Sequence, residues 1–255
     1  MLSSGVLTLI DQGLPSEIHH SLDNDIPKLM EYFEKELGKL RNEQTPTLFA
    51  SYSNRPGTSS QGGVLPNQIF MHWDFHDLEK KVKKQEFLNE TLFYFAHEVA
   101  HFFQTTIASA NNHEAWVHEG SADYFALNAL SELYPDAASF LKTKQLESKN
   151  RCEASLNNHA LSEASAKRDF KAHYHCGLLI HQRIAKEIAL TDEHTSLSEL
   201  WQAYRQQVQS GKTAGQETFL DLLSFYSSDD FSNKVGVFIN TKHSNPHRAL
   251  DQLAE

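Results

Sequence analysis

Apolar residues recur at helical spacing in two early stretches. Ile26, Leu29, Met30, Phe33, Leu37 and Leu40 fall three and four apart, which predicts an amphipathic helix over 26–40 with Pro27 in its first turn. Between Glu86 and Ala110 there is neither Gly nor Pro, and Phe87, Leu88, Leu92, Phe95, Val99, Phe102 and Phe103 make that run largely apolar. A helix so apolar is expected to be buried. Shorter runs predict strands over 5–10, 47–52 and 64–73, the last bent or split around Pro66. Ser53 to Gly63, rich in Ser, Gly, Asn and Pro, reads as a mobile loop. Beyond residue 86 the pattern stays helical, with further helices predicted over 135–149, 162–190, 196–210 and 217–226 and weaker signals over 229–239 and 246–253.

This order of elements predicts an α+β fold. A small mixed α/β lobe over 1–110 includes the apolar helix, and a helical lobe covers 111–255, the two forming one domain in function. The length of 255 residues is ample for a core, and 40% hydrophobic with 22% charged residues is the composition of a soluble globular protein. A net charge of −10 disfavours a general nucleic-acid role. No apolar run approaches the ~20 residues of a transmembrane span. Met1 to Gly13 lacks the basic start and long apolar core of a signal peptide. The two cysteines, Cys152 and Cys176, do not settle the compartment, and nothing in the sequence fixes the oligomeric state.

The chemistry is concentrated in the apolar run, which contains His97-Glu98-Val99-Ala100-His101. Residues four apart share one helix face, so His97 and His101 can hold one metal ion while Glu98 holds a water beside it. Among 15 histidines such a spacing can also arise by chance, so the context matters. A second predicted helix, capped by Asn111 or Asn112, carries Trp116-Val117-His118-Glu119-Gly120-Ser121-Ala122-Asp123-Tyr124. A catalytic zinc takes three protein ligands and leaves one position open, and Glu119 is the natural third ligand. Gly120 costs a helix about 1 kcal/mol relative to Ala. A close approach of the two motif helices near the metal would account for it. Asp123, one turn after Glu119, can accept the free ring N–H of a ligand histidine. His72 and His76 straddle Trp73-Asp74-Phe75 and read as non-ligands, and His243 and His247 read as surface residues.

His97-Glu98-x-x-His101 followed by Trp116-x-x-Glu119-Gly120-x-Ala122-x-Tyr124 resembles the gluzincin metallopeptidases, in particular their aminopeptidase-N-like branch. Asp123, four residues after Glu119, is similar to the Asp that supports a ligand histidine in thermolysin. The resemblance implies a zincin-like two-lobe fold and one zinc ion per chain, held by His97, His101 and Glu119. It also implies a peptide or protein substrate. A later helix of that branch carries Tyr-x-x-Gly before an apolar run, and Tyr174 and Gly177 match it. Tyr174 would then stabilise the oxyanion, with His173 and His175 as alternative donors. By the same resemblance, the segment from Asn67 to Trp73 is the edge strand that pairs with a substrate backbone. The chain departs from the branch in three ways. The spacing from His101 to Glu119 is one residue shorter, Cys176 stands where relatives often have Lys, and no Gly-x-Met-Glu-Asn stretch precedes the zinc helix. The last departure favours cleavage without anchoring of a free N-terminus.

The implied reaction is metal-assisted hydrolysis with Glu98 as general base. Two other functions compete with a peptidase: a zinc hydrolase acting on a non-peptide bond, and a scaffold protein that keeps zinc without turnover.

Overall fold

The computed structural model describes residues 2–3, 6–40, 46–53, 55, 58–65, 68–104 and 114–253. Their fold is α+β, with a small mixed sheet followed by helices. The chain divides into two compact units, one of 1–103 with 125–140 and one of 104–124 with 141–255.

In the first unit, strands β1 (Leu2–Ser3), β2 (Val6–Ile10), β3 (Thr47–Ser53), β4 (Thr58–Leu65) and β5 (Gln68–Phe75) form a sheet in the order β1-β2-β3-β5-β4. β2, β3 and β5 run parallel, and β1 and β4 run antiparallel to their neighbours. The strand period of two sets the buried face. Leu48 and Ala50 of β3 pair with Ile69 and Met71 of β5, and all four are buried.

A parallel pair needs a long crossover, which α1 (Ser16–Leu37) supplies between β2 and β3. It begins ten residues before the predicted start, so Pro27 lies inside the helix and not in its first turn. Ile18 and Leu22 extend the buried stripe N-terminally, and the hydrogen bond lost at Pro27 would have gone to the carbonyl of Asp23, an exposed residue that water can reach.

Two sequence expectations about the sheet fail. Within the segment read as a loop, Thr58 onward is strand β4, fully paired with β5 from Thr58↔Phe75 to Leu65↔Gln68. Its Ser and Gly content reads as loop because an edge strand needs little apolar surface; the backbone ladder alone defines it. In consequence β5, the segment expected at the edge, lies inside the sheet between β3 and β4, and among the described residues the edge strand on that side is β4.

The short helix α2 (Leu78–Lys81) leads into α3 (Gln85–Phe103), which packs into this unit through aromatic contacts. Phe95 meets Trp73 edge-on at 6.1 Å between ring centroids, Phe87 meets Phe75 at 5.9 Å, and Phe103 lies 6.0 Å from Phe33. Helix α4 (Trp116–Leu133) gives its residues from Phe125 onward to this unit and its first two turns to the other. The proposed caps Asn111 and Asn112 lie outside the described residues.

The second unit is helical: α5 (Ala138–Leu156), α6 (Lys171–Thr191), α7 (Leu197–Gln209), α8 (Gln216–Tyr226), α9 (Asp229–Asn240) and α10 (Pro246–Gln252). The helix predicted from 162 starts at Lys171 instead. Before it, Arg168 takes a φ of 60°, and His159 bonds to Asp169 at 3.1 Å. α7 opens with a capping box in which the Ser196 N–H donates to the Glu199 carboxylate at 2.8 Å. A disulfide joins Cys152 of α5 to Cys176 of α6, both fully buried. The core is aromatic: Trp116, Trp201 and Phe219 surround His181, and Tyr204 packs against Trp201 and Phe219. Among the described residues no helix is long and apolar enough to cross a membrane.

Candidate metal centre

The periodicity of α3 decides where its imidazoles go. His97 and His101 stand one turn apart with their Nε2 atoms 3.0 Å from each other. The rings are perpendicular, at 88°, with centroids 4.6 Å apart. His97 is buried, His101 is half-buried, and Glu98 is 5% exposed. Two neutral imidazoles facing in this way can share one proton; a cation that accepts both lone pairs replaces that proton.

Glu119 stands in the first turn of α4, its N–H bonded to the Ala115 carbonyl at 2.9 Å. One ligand atom from each of His97, His101 and Glu119 lies within 4.8 Å of the other two. Among the described residues, this is the group of His, Cys, Asp and Glu side chains that can hold a metal ion. Two imidazoles and one carboxylate fit zinc, for which three protein ligands leave a position open.

The reason for Gly120 is tertiary, and its partner is not the helix that the sequence suggested. A methyl group built on Gly120 would lie 2.9 Å from the Gly177 carbonyl oxygen, and one on Gly177 would lie 2.7 Å from the Gly120 Cα and 2.8 Å from the Trp116 carbonyl oxygen. Backbone meets backbone where α4 crosses α6, beside Glu119. Around this crossing the first turns of α4 are tied down. The Gln104 amide donates to the His118 carbonyl at 2.9 Å and to Ser121 Oγ at 2.8 Å, and the Trp116 indole N–H donates to Gln216 at 2.8 Å. No motif marked Gln104; three residues past His101, it has no chemistry of its own to draw attention.

Asp123 is buried and lies close enough to His175 to favour its protonated form, but burial outweighs this and holds the His175 pKa below its usual value. Tyr174 is half-buried on α6. Its two histidine neighbours have serine partners: His173 Nε2 and Ser165 Oγ are 2.9 Å apart, and His175 Nδ1 and Ser148 Oγ are 3.2 Å apart. His72 bonds to Ser51 at 2.9 Å and His243 to the Phe238 carbonyl at 2.9 Å, and neither they nor His76 and His247 join the metal group.

Tyr94 escaped the sequence reading, although it lies four residues before Glu98 on the same face of α3. Its hydroxyl is buried against Gly62 of β4, where an added methyl would lie 2.6 Å from the phenol Cζ and 2.7 Å from the Phe70 carbonyl oxygen. Burial first, and then the neighbouring Glu98 carboxylate, push the phenol pKa well above the usual tyrosine range.

No family model matches the sequence, and no curated protein matches it. Solved structures do share the fold. An aminopeptidase N family protein from Idiomarina loihiensis superposes with a TM-score of 0.74 at 14% identity, over 96% of this chain and 46% of that one. An M1 zinc metallopeptidase mutant from Deinococcus radiodurans, bound to a Tyr-Ser-Ala substrate, superposes with a TM-score of 0.57 at 14% identity, over 94% of this chain and 50% of that one. The chain thus spans about half the length of either, and what the likeness establishes is the α+β fold, with its small sheet and helical remainder, common to these peptidases.

Proposed function

We propose that this protein is a zinc-dependent peptidase that hydrolyses amide bonds in peptides or proteins. The observation that carries the proposal is the grouping of His97, His101 and Glu119 within 4.8 Å, with the buried Glu98 next to it in the chain. The fold shared with solved peptidases supports it.

Bound to the three side chains, zinc supplies Lewis acidity that brings the pKa of a water toward ~7. Glu98 accepts a proton as water adds to the amide carbonyl and delivers it to the leaving amine. Burial suits the task, because few competing waters reach the carboxylate. Tyr174 is assigned to donate its neutral O–H to the oxygen on which charge develops. Asp123 is assigned to hold one ligand imidazole in a single tautomer. Residues 1–110 and 111–255 would act together as one catalytic domain.

The test compares wild type with Glu98→Gln, each purified and assayed on a mixed peptide library. The expected result is equal zinc content in the two proteins and cleavage by the wild type alone. Undiminished cleavage by the zinc-loaded variant would overturn the base assignment. Zinc with no peptide cleavage in either would move the reading to a non-peptide hydrolase or a scaffold.

A further inference from the structure

A carboxylate that must receive a proton and hand it on within one turnover works best in one rotamer. Backbone groups inside a helix are already bonded to each other, so a side chain has to hold it. The residues that share a face with Glu98 on α3 are those three and four away, and Tyr94 is one of them.

Tyr94 is placed for that task. Its hydroxyl reaches the edge strand β4 at Gly62, where there is no side chain to displace it. The neighbouring Gly63 pairs with Phe70, and Gly62 pairs with Met71, so the strand continues unbroken past the phenol. A glycine inside a strand weakens it and marks a place where another group comes close. Here that group is the phenol oxygen. The oxygen is shut off from solvent and makes no well-formed hydrogen bond in the structure. Among the described residues, the ionisable group that acts on it is Glu98, and the phenol stays protonated and able to donate.

We infer that Tyr94 is a positioning residue for Glu98: held between α3 and Gly62, its hydroxyl donates to the Glu98 carboxylate and fixes the direction in which that carboxylate faces. A phenol–carboxylate bond is charge-assisted, hence short and directional. This inference rests on the proposed role of Glu98. It also gives Gly62 a reason: any side chain at that position would drive the phenol away.

Tyr94→Phe removes one oxygen and keeps the ring. In the zinc-loaded enzyme, kcat is expected to fall about tenfold with KM within about twofold, the signature of an interaction that matters in the transition state and not in substrate binding. Zinc content should be unchanged. A second readout needs no activity. In metal-free protein, Tyr94→Phe should lower the Tm by about 3 °C when Glu98 is present, and should leave it unchanged or raise it in a Glu98→Ala background. A purely structural phenol would shift the Tm equally in both backgrounds and leave kcat alone, and that result would overturn the inference. If the wild type holds zinc but cleaves no peptide, the proposed activity fails, while the background dependence of the Tm still decides whether Tyr94 and Glu98 are bonded.

Discussion

On α3, one helix turn brings two imidazoles to 3.0 Å, and nothing outside the helix is needed to bring them together. On α4, Glu119 owes its setting to a contact with residues far along the chain, because its neighbour Gly120 lies against Gly177 of α6. The first arrangement is local and survives most changes in the surroundings. The second is tertiary and tolerates almost none, since both surfaces are backbone and neither can rotate away. A metal centre resting on both kinds of support would fail in two distinguishable ways: by loss of a ligand on α3, or by loss of packing under α4.

The packing failure has the larger effect on stability. Gly120→Ala should gain about 1 kcal/mol of helix propensity and lose more than that through overlap with Gly177. The net destabilisation, about 3 kcal/mol by urea denaturation, is near the upper end for overpacking because a main chain cannot repack. A neutral or stabilising effect would mean that α4 and α6 are not in backbone contact.

A pH dependence of similar size sits in the same region. His181 is fully buried, donates from Nδ1–H to the Gly177 carbonyl at 2.8 Å and is otherwise ringed by aromatic side chains. Burial lowers its pKa from 6.5 to about 4. Between those values the unfolded chain binds the extra proton, so stability rises with pH through this window. It is complete above about pH 6.5, is lost as pH falls toward 4, and amounts to about 3 kcal/mol at most. Denaturation midpoints measured from pH 7.5 down to 4.5 should fall more steeply in wild type than in His181→Leu. Parallel curves would place the titration elsewhere.

The difference between α3 and α4 also explains what the sequence made legible. The spacing His97-x-x-x-His101 and the apolar faces around it are readable because helix periodicity converts spacing directly into geometry. The α+β class followed from the order of apolar patterns. The partner of Gly120 lies on α6, which spacing does not reveal, because which helix meets which is a tertiary fact. Strand β4 was hidden for a related reason: Ser60, Gln61, Gly62 and Gly63 carry no alternation, and only the ladder to β5 makes them a strand. No motif marks Tyr94, and only Gly62 opposite its hydroxyl, a tertiary contact, sets it apart. Cys152 and Cys176, 24 residues apart, pair through the placement of α5 beside α6, which their spacing does not encode.

The central claim is that His97, His101 and Glu119 hold zinc, and the most direct test is the metal content of protein purified without added metal. The account predicts about one zinc per chain in wild type and almost none in His101→Ala, with the variant still folded by its thermal transition. Wild type without zinc, or His101→Ala with undiminished zinc, would contradict it.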